Sequence, residues 1–234
     1  MNIVITGASK GIGPEIIKIL SKHKGNQIVA VSRNGEGLRR LVNESMKVHT
    51  DAKILPCEFD LSQFDFYPYL LQKIENFFHH IDVLINNAGR LVNKPFEKIE
   101  PQDFDDIFNV NVKSVFFLTQ ILLPIINKGG HIVNIGSGGG FQGSKKFGGL
   151  AAYSASKGAV AILSESLAEE LQEREISVNC LALGAVQTEM FKEAFPGKRA
   201  LLTPQQMAEF IADFAVTGQK YFNGKILPVS ASVP

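Results

Sequence analysis

The sequence holds only two cysteines, Cys57 and Cys180. So few exclude a disulfide framework, and their spacing fits no metal site. An excess of either charge is also missing: 24 Lys and Arg against 23 Asp and Glu leave a formal net charge of +1. Nothing in that balance draws the chain toward nucleic acid or an anionic membrane surface. No apolar run approaches the roughly 18 residues a membrane helix needs, because the best candidate, 115–126, is interrupted by Thr119, Gln120 and Pro124. A basic leader is absent ahead of the strand-like hydrophobics that begin at Ile3, which makes a cytoplasmic location the expectation. What is present is ordinary for a globular chain: 234 residues, 45% of them hydrophobic and 20% charged, enough to bury a real core.

Short runs rich in Val and Ile alternate with longer amphipathic stretches from end to end. The strand candidates are 2–6, 27–32, 52–57, 82–86, 131–136, 177–181 and 225–229. They are apolar on both faces, as strands of a parallel sheet covered on both sides must be. Helical candidates include 14–24, 66–79, 104–126, 153–174 and 204–216, the last with Thr203 as N-cap and Pro204 in its first turn. This alternation predicts a single α/β domain over 1–234, an open doubly wound sheet joined by right-handed crossovers. Ligands in such sheets bind beyond the carboxyl ends of the strands, so functional residues are expected just after strands.

The segment Thr6-Gly7-Ala8-Ser9-Lys10-Gly11-Ile12-Gly13 sits at the first such junction. Glycines let the backbone turn tightly and bring its N–H groups up to a pyrophosphate, and the helix that follows adds its positive end. A plain tight turn is the bland alternative. The second strand then ends Val31-Ser32-Arg33-Asn34. A site selective for NAD places an acid about 20 residues beyond the glycines, on the ribose hydroxyl. Here Ser32 and Arg33 stand in that place, with Lys10 in the loop, and cations and hydroxyls suit a 2′-phosphate. NADP(H) is therefore the expected cofactor.

Tyr153 and Lys157 are four residues apart, on one helical face. A phenol with a pKa near 10 is a poor proton donor–acceptor at neutral pH, and a neighbouring ammonium lowers that value. Ser137, at the end of the preceding strand, offers a hydroxyl for a substrate oxygen carrying developing charge. Taken singly, each residue has a bland alternative as a surface or loop side chain.

Together these motifs resemble the short-chain dehydrogenase/reductase family, along nearly the whole chain. The resemblance rests on residues 6–13, Asn86-Asn87-Ala88-Gly89, Asn111, Ser137, Tyr153 and Lys157. It implies a Rossmann-type doubly wound fold with a seven-stranded, mainly parallel sheet and helices on both faces. It further implies Tyr153 as general acid, Lys157 as its partner and ribose ligand, and Ser137 as the hydroxyl orienting the carbonyl. Asn111 would anchor a water leading from Lys157 to solvent; a helix-kink amide is its alternative. Asp60 and Leu61 would meet adenine, Asp60 having a turn cap as its alternative, and Asn87, Ala88 and Gly89 would lie beside the adenine ribose. Gly184, Val186 and Thr188 match a loop that meets the nicotinamide, although Leu183 replaces the family's proline and is expected to loosen that loop.

Two further features bear on the substrate. The stretch 138–149 is longer than is usual for the family and holds six glycines with Lys145 and Lys146; those lysines either meet an anionic substrate or carrier, or are simply solvated. Residues 189–203, with Met190, Phe191, Phe195 and Leu201, read as an apolar lid. The chain ends Pro228-Val229-Ser230-Ala231-Ser232-Val233-Pro234, without the Asp-Gly-Gly of many relatives. The expected function is NADPH-dependent reduction of a small-molecule ketone or aldehyde. A 3-oxoacyl-carrier-protein reductase is the first alternative and a non-catalytic NADPH sensor or scaffold the second. A homodimer or homotetramer through 104–126 and 153–174 is implied.

Overall fold

A computed structural model describes residues 1–49 and 51–231; the expectation touching Ser232, Val233 and Pro234 lies outside them. Seven strands form one sheet: β1 (Asn2–Thr6), β2 (Gln27–Ser32), β3 (Lys53–Glu58), β4 (Ile81–Asn86), β5 (Ile126–Ile135), β6 (Ser177–Leu183) and β7 (Ile226–Val229). Their order is β3-β2-β1-β4-β5-β6-β7, and every neighbouring pair is parallel. The chain reverses direction of winding between β1 and β4, so the crevice above those two strands is where a ligand binds in such a sheet.

The helices are α1 (Ile12–Leu20), α2 (Gly35–Val48), α3 (Tyr67–Phe77), α4 (Pro101–Phe108), α5 (Ser114–Leu122), α6 (Ala151–Glu170), α7 (Glu189–Ala194) and α8 (Pro204–Thr217). Side chains alternate across each strand, and both faces are used. Ile3 and Ile5 join Ile16, Ile17 and Leu20 of α1 and Met207 and Ile211 of α8 in one core. Val4 turns the other way, to Leu70 and Ile74 of α3 and Leu118 and Leu122 of α5. Each such aliphatic side chain, fully buried, contributes about 1.5–3 kcal/mol. A charge at Val4 or Ile5 would break the layer it faces.

Several boundaries differ from those the sequence predicts. The helix expected over 104–126 is α4, a π-helical turn (Asn109–Lys113) and α5, followed by a 3-10 turn (Leu123–Ile125). That continuous path, Pro101–Ile125, is long and apolar enough by length and composition to cross a bilayer, although charged and polar residues interrupt every apolar run within it. Part of its apolar surface is spent on the protein interior: Leu118 and Leu122 pack in one core, Val115 in another. β5 starts at Ile126 rather than His131 because Ile126 pairs with Ile81 and His131 with Val83, so 127–130 bulge out of register. α2 is a helix the sequence reading did not single out. Asn34 caps it, accepting the Gly37 N–H at 3.0 Å, and Leu38 and Leu41 bury its inner face.

Candidate active site

Most of the residues singled out above meet at the carboxyl ends of the strands, around one cleft of about 930 Å³. At its first wall Gly7 and Gly11 both adopt φ +69°, a backbone favouring glycine. A Cβ on Gly13 would run into the Gly7 carbonyl oxygen, so the third glycine lets α1 close on the loop. Gly11 is the N-cap of α1 and supplies no side-chain hydrogen bond. The first-turn N–H groups therefore face the cleft without a cap, an arrangement that accepts an anionic group such as a pyrophosphate. Asn87 holds the loop from behind, its side-chain amide donating to the carbonyls of Thr6 at 3.0 Å and Gly7 at 3.2 Å. The backbone N–H groups of Asn87 and Ala88 both donate to Thr6 Oγ1 at 3.0 Å. Ile12 also lines this wall.

Further along, the Ser9 and Ser32 hydroxyls hydrogen-bond each other at 2.7 Å, and Lys10 and Arg33 are exposed at the rim. The site thus has hydroxyls and cations where a carboxylate was absent from the sequence. Asp60 lines the cleft and is also a turn cap, its Oδ1 accepting from the N–H and the hydroxyl of Ser62 at 2.9 and 2.8 Å. Leu61 lies beside it, its carbonyl fixed by the Tyr67 hydroxyl at 2.8 Å. A nicotinamide dinucleotide fits these residues: an uncapped helix start for its pyrophosphate, with Ser9, Ser32, Lys10 and Arg33 lining the cleft beside it.

The opposite wall comes from β5, the π-turn and α6. Ser137 follows β5 and its oxygen accepts the Gly139 N–H at 3.1 Å, which leaves its proton to be donated to the Tyr153 oxygen beside it. A Cβ on Gly140 would run into the backbone of Lys157 and Gly158, so the glycines after Ser137 allow that turn to seat on α6. Lys157 is buried, and its ammonium donates to the Ile135 carbonyl at 2.7 Å. Burial pushes the Lys157 pKa down to about 8. Tyr153 differs from expectation. Its pKa is raised by burial, with the Ser137 hydroxyl beside it acting as the opposing influence. The predicted lowering by Lys157 is not found; with its own pKa near 8 the amine is already neutral where the phenol titrates.

Asn111 sits fully buried in the π-turn. Its Oδ1 accepts the Arg90 N–H at 2.7 Å, while its Nδ2 donates to the Arg90 carbonyl and to Ser156 Oγ, both at 2.9 Å. The side chain therefore ties the Arg90 backbone to α6 and satisfies no group of its own kink, and a wider π-turn is where helices often carry functional groups. Gly89 lies between: a Cβ there would be 3.7 Å from both Asn111 Oδ1 and Lys157 Nζ.

Thr188 caps α7, accepting the Phe191 N–H at 3.2 Å, and its methyl faces Gly11 across the cleft. Gly184 and Val186 line the same side. Leu183 does not loosen the loop. It is buried, extends β6, and pairs with Val229, while the next N–H, of Gly184, donates to the Val229 carbonyl at 2.8 Å. Phe147 from the long loop meets Phe195 from the lid at 5.7 Å between ring centroids, and Phe191 lies tilted against Phe195 at 5.3 Å. Leu201, at 71% exposure, stays outside the cleft. The two loop lysines part company: Lys146 hydrogen-bonds the Phe141 carbonyl and, at 2.8 Å, Ser144 Oγ, while Lys145 lines the cleft.

Sequence reading missed several groups here. Arg90 grips Asn111 through its backbone and Asp106 through its side chain at 2.7 Å. Ser156, inside the Tyr-x-x-x-Lys segment, was within sight as a polar residue on a buried face. Asn93 braces the lid by donating to the Ala194 carbonyl at 2.6 Å, a partner 101 positions away that no local pattern announces.

Fold and cleft define a protein of the dinucleotide-binding α/β class. The sequence profile of the family described as short chain dehydrogenase matches residues 1–199. An uncharacterized oxidoreductase of Staphylococcus epidermidis is 31% identical over 223 residues, 94% of this chain and 92% of that one. Among solved structures, a short-chain dehydrogenase/reductase from Serratia marcescens superposes with a TM-score of 0.87 at 27% identity, covering 97% of this chain and 95% of the other. A 3-ketoacyl-(acyl-carrier-protein) reductase from Brucella melitensis, complexed with NADH, gives 0.84 at 30% identity, covering 97% and 96%. The chain belongs to the short-chain dehydrogenase family and is an oxidoreductase.

Proposed function

We propose that the protein reduces a ketone or aldehyde to an alcohol with NADPH. The observation that carries this is the meeting of the Ser137 hydroxyl and the Tyr153 phenol beside the buried Lys157, at the wall facing the glycine loop. A bound nicotinamide cofactor supplies hydride to the carbonyl carbon. Ser137, its oxygen already occupied by Gly139, donates to the carbonyl oxygen and holds it toward Tyr153. Tyr153, kept protonated by its raised pKa, delivers the proton to that oxygen as the alcohol forms. Lys157 orients the ribose and supports the proton's replacement, with Asn111 and its π-turn leading to solvent. Lys10, Ser32 and Arg33 favour the phosphorylated cofactor.

The test is loss of NADPH absorbance across a panel of ketones, aldehydes, diketones and 3-oxoacyl thioesters, followed by Tyr153→Phe. Turnover should fall on the order of 10³-fold, within the range for general acid catalysis, with NADPH affinity kept within a few-fold. Full activity in that variant removes Tyr153 as the acid. A second reading, a 3-oxoacyl thioester as substrate, draws support from the Brucella melitensis neighbour and is decided by the thioester arm. A non-catalytic NADPH sensor is disfavoured by retention of Ser137, Tyr153, Lys157 and Asn111 together. We also infer a homodimer or homotetramer: Phe104, Phe116 and Ile162 leave 43%, 44% and 62% of their surface exposed on α4, α5 and α6. Sedimentation showing monomer alone overturns that.

A further inference from the structure

Beyond the reacting groups, the cleft carries an aromatic pair with a cation near each ring. Lys145, on the loop after Ser137, holds its ammonium 5.9 Å from the centroid of Phe147. Lys198, on the lid segment, holds its own 5.6 Å from the centroid of Phe195. Those two rings touch each other, 5.7 Å apart and edge to face. The fold therefore brings two like charges to one aromatic pair, and Arg199 lines the cleft next to Lys198. Among the described residues none of these three cations has a carboxylate within 4.0 Å. Glu189 and Glu193 also line the cleft, from α7, yet neither reaches them. Lys146, by contrast, is tied to its own loop and does not line the cleft.

From this arrangement we infer that the substrate is a small carbonyl compound with an apolar body and an anionic group remote from the carbonyl, held by Lys145, Lys198 and Arg199. The inference rests on the proposed carbonyl reduction and narrows its substrate class. The aromatic rings take the body, the anion bridges loop and lid, and the carbonyl is left at Ser137 and Tyr153. An anion placed between two facing cations relieves their repulsion, and cation–ring contacts keep the ammoniums near the site without neutralising them. Closing the lid and binding the anion are then one event.

The experiment compares 3-benzoylpropanoate and 4-benzoylbutanoate with their methyl esters, which share the aryl ketone and lack the charge. With NADPH, kcat/KM for at least one acid should exceed that of its ester tenfold or more, mainly through KM. The ratio should shrink as salt rises from low ionic strength. In Lys145→Gln/Lys198→Gln/Arg199→Gln it should fall toward one, while Lys145→Arg/Lys198→Arg retains it. Binding is read separately, by calorimetry of the acids and esters on Tyr153→Phe loaded with NADP, so the outcome does not depend on turnover. Acids that bind the loaded variant no better than esters, or a preference untouched by the triple substitution, overturn the inference. Turnover of esters and acids alike overturns the inference and leaves carbonyl reduction standing. Tight acid binding with no carbonyl of the panel reduced supports the anion site and removes the reductase reading.

Discussion

The Lys157 ammonium donates a 2.7 Å hydrogen bond to the carbonyl of Ile135, joining the second turn of α6 to the last residue of β5. The contact fixes the side chain between the two walls of the cleft, but it does not replace the water that burial removed. The Lys157 pKa therefore drops to about 8, within reach of ordinary buffers. Reduction needs the ammonium, while Tyr153, pushed upward by burial, stays protonated. kcat/KM for carbonyl reduction should be level below pH 7.5 and decline as pH rises through about 8. This quantity reports groups of the free enzyme. Lys157→Arg should move any residual decline to higher pH, because a guanidinium keeps its proton. A wild-type profile level to pH 9.5 would remove Lys157 from the mechanism.

The proposed use of NADPH assigns cofactor choice to Arg33 and to the absence of an acid at the end of β2. Arg33→Asp places a carboxylate where a 2′-phosphate would lie and where a ribose hydroxyl would be accepted. A charge-assisted hydrogen bond is worth about 1.5–3 kcal/mol, so kcat/KM with NADPH should drop about 10- to 100-fold. The figure with NADH should hold or rise. Steady-state kinetics with both cofactors on one substrate measures the ratio, and an unchanged ratio would place the selectivity elsewhere.

Much of the sheet was legible because its central strands are apolar on both faces. Asn2–Thr6 and Gln27–Ser32 are found with their expected bounds. β5 was not, since Asn127-Lys128-Gly129-Gly130 reads as a turn while its bulge leaves Ile126 paired in the ladder. α2 was overlooked because Gly35 and Gly37 interrupt the helical pattern, and the reason for both glycines lies elsewhere in space: Glu58 and Ser9 occupy the room a Cβ would need. In the site, spacing correctly brought Tyr153, Lys157 and Ser137 to one cleft, because motif order follows strand order. Proton affinities were not legible. The downward shift on Tyr153 assumed an amine that stays charged, and only the fold reveals that burial brings Lys157 below the phenol. The effect of Leu183 was also misjudged, since a proline's fixed φ was weighed without the β-ladder that secures a leucine in its place.

His131 offers a test of the fold independent of activity. It is buried in β5, where its Nδ1 donates to the Ala215 carbonyl at 3.0 Å and its Nε2 receives the Asn179 amide at 3.0 Å. Both nitrogens are committed in the neutral form, and burial pushes the pKa down to about 4. An unfolded histidine titrates near 6.5, so the unfolded chain takes up the proton first. The contribution is complete above pH 6.5 and is lost as pH falls toward 4, amounting to about 3 kcal/mol. Urea midpoints across that range should fall accordingly, and His131→Asn should be less stable at pH 7 yet show a flatter dependence. An equal slope in the variant would assign the acid sensitivity to other groups.

Glu175 is the one non-glycine residue among those described with a left-handed backbone, at φ 53° and ψ 36°. It closes the 3-10 turn after α6, where its N–H donates to Gln172 and its carbonyl accepts from Gly129, both at 2.9 Å. Only the backbone is needed for either bond, so the side chain is free to change. The left-handed conformation costs an ordinary residue roughly 1–2 kcal/mol. The side chain returns little: its 2.6 Å pair with Lys128 joins two mostly exposed groups, and such pairs contribute roughly 0–1 kcal/mol. Glycine removes the strain but adds freedom to the unfolded chain; asparagine tolerates the conformation with less added freedom. Glu175→Gly and Glu175→Asn should therefore both melt higher than the parent, by about 1–4 °C for a chain of this size. Glu175→Ala keeps the Cβ and loses the pair, so it should melt no higher than the parent. Repeating the melts in 1 M salt, where the Lys128 pair is screened, should widen the gain of both stabilised variants. If alanine gains as much as glycine, backbone strain at this turn is not what limits stability there.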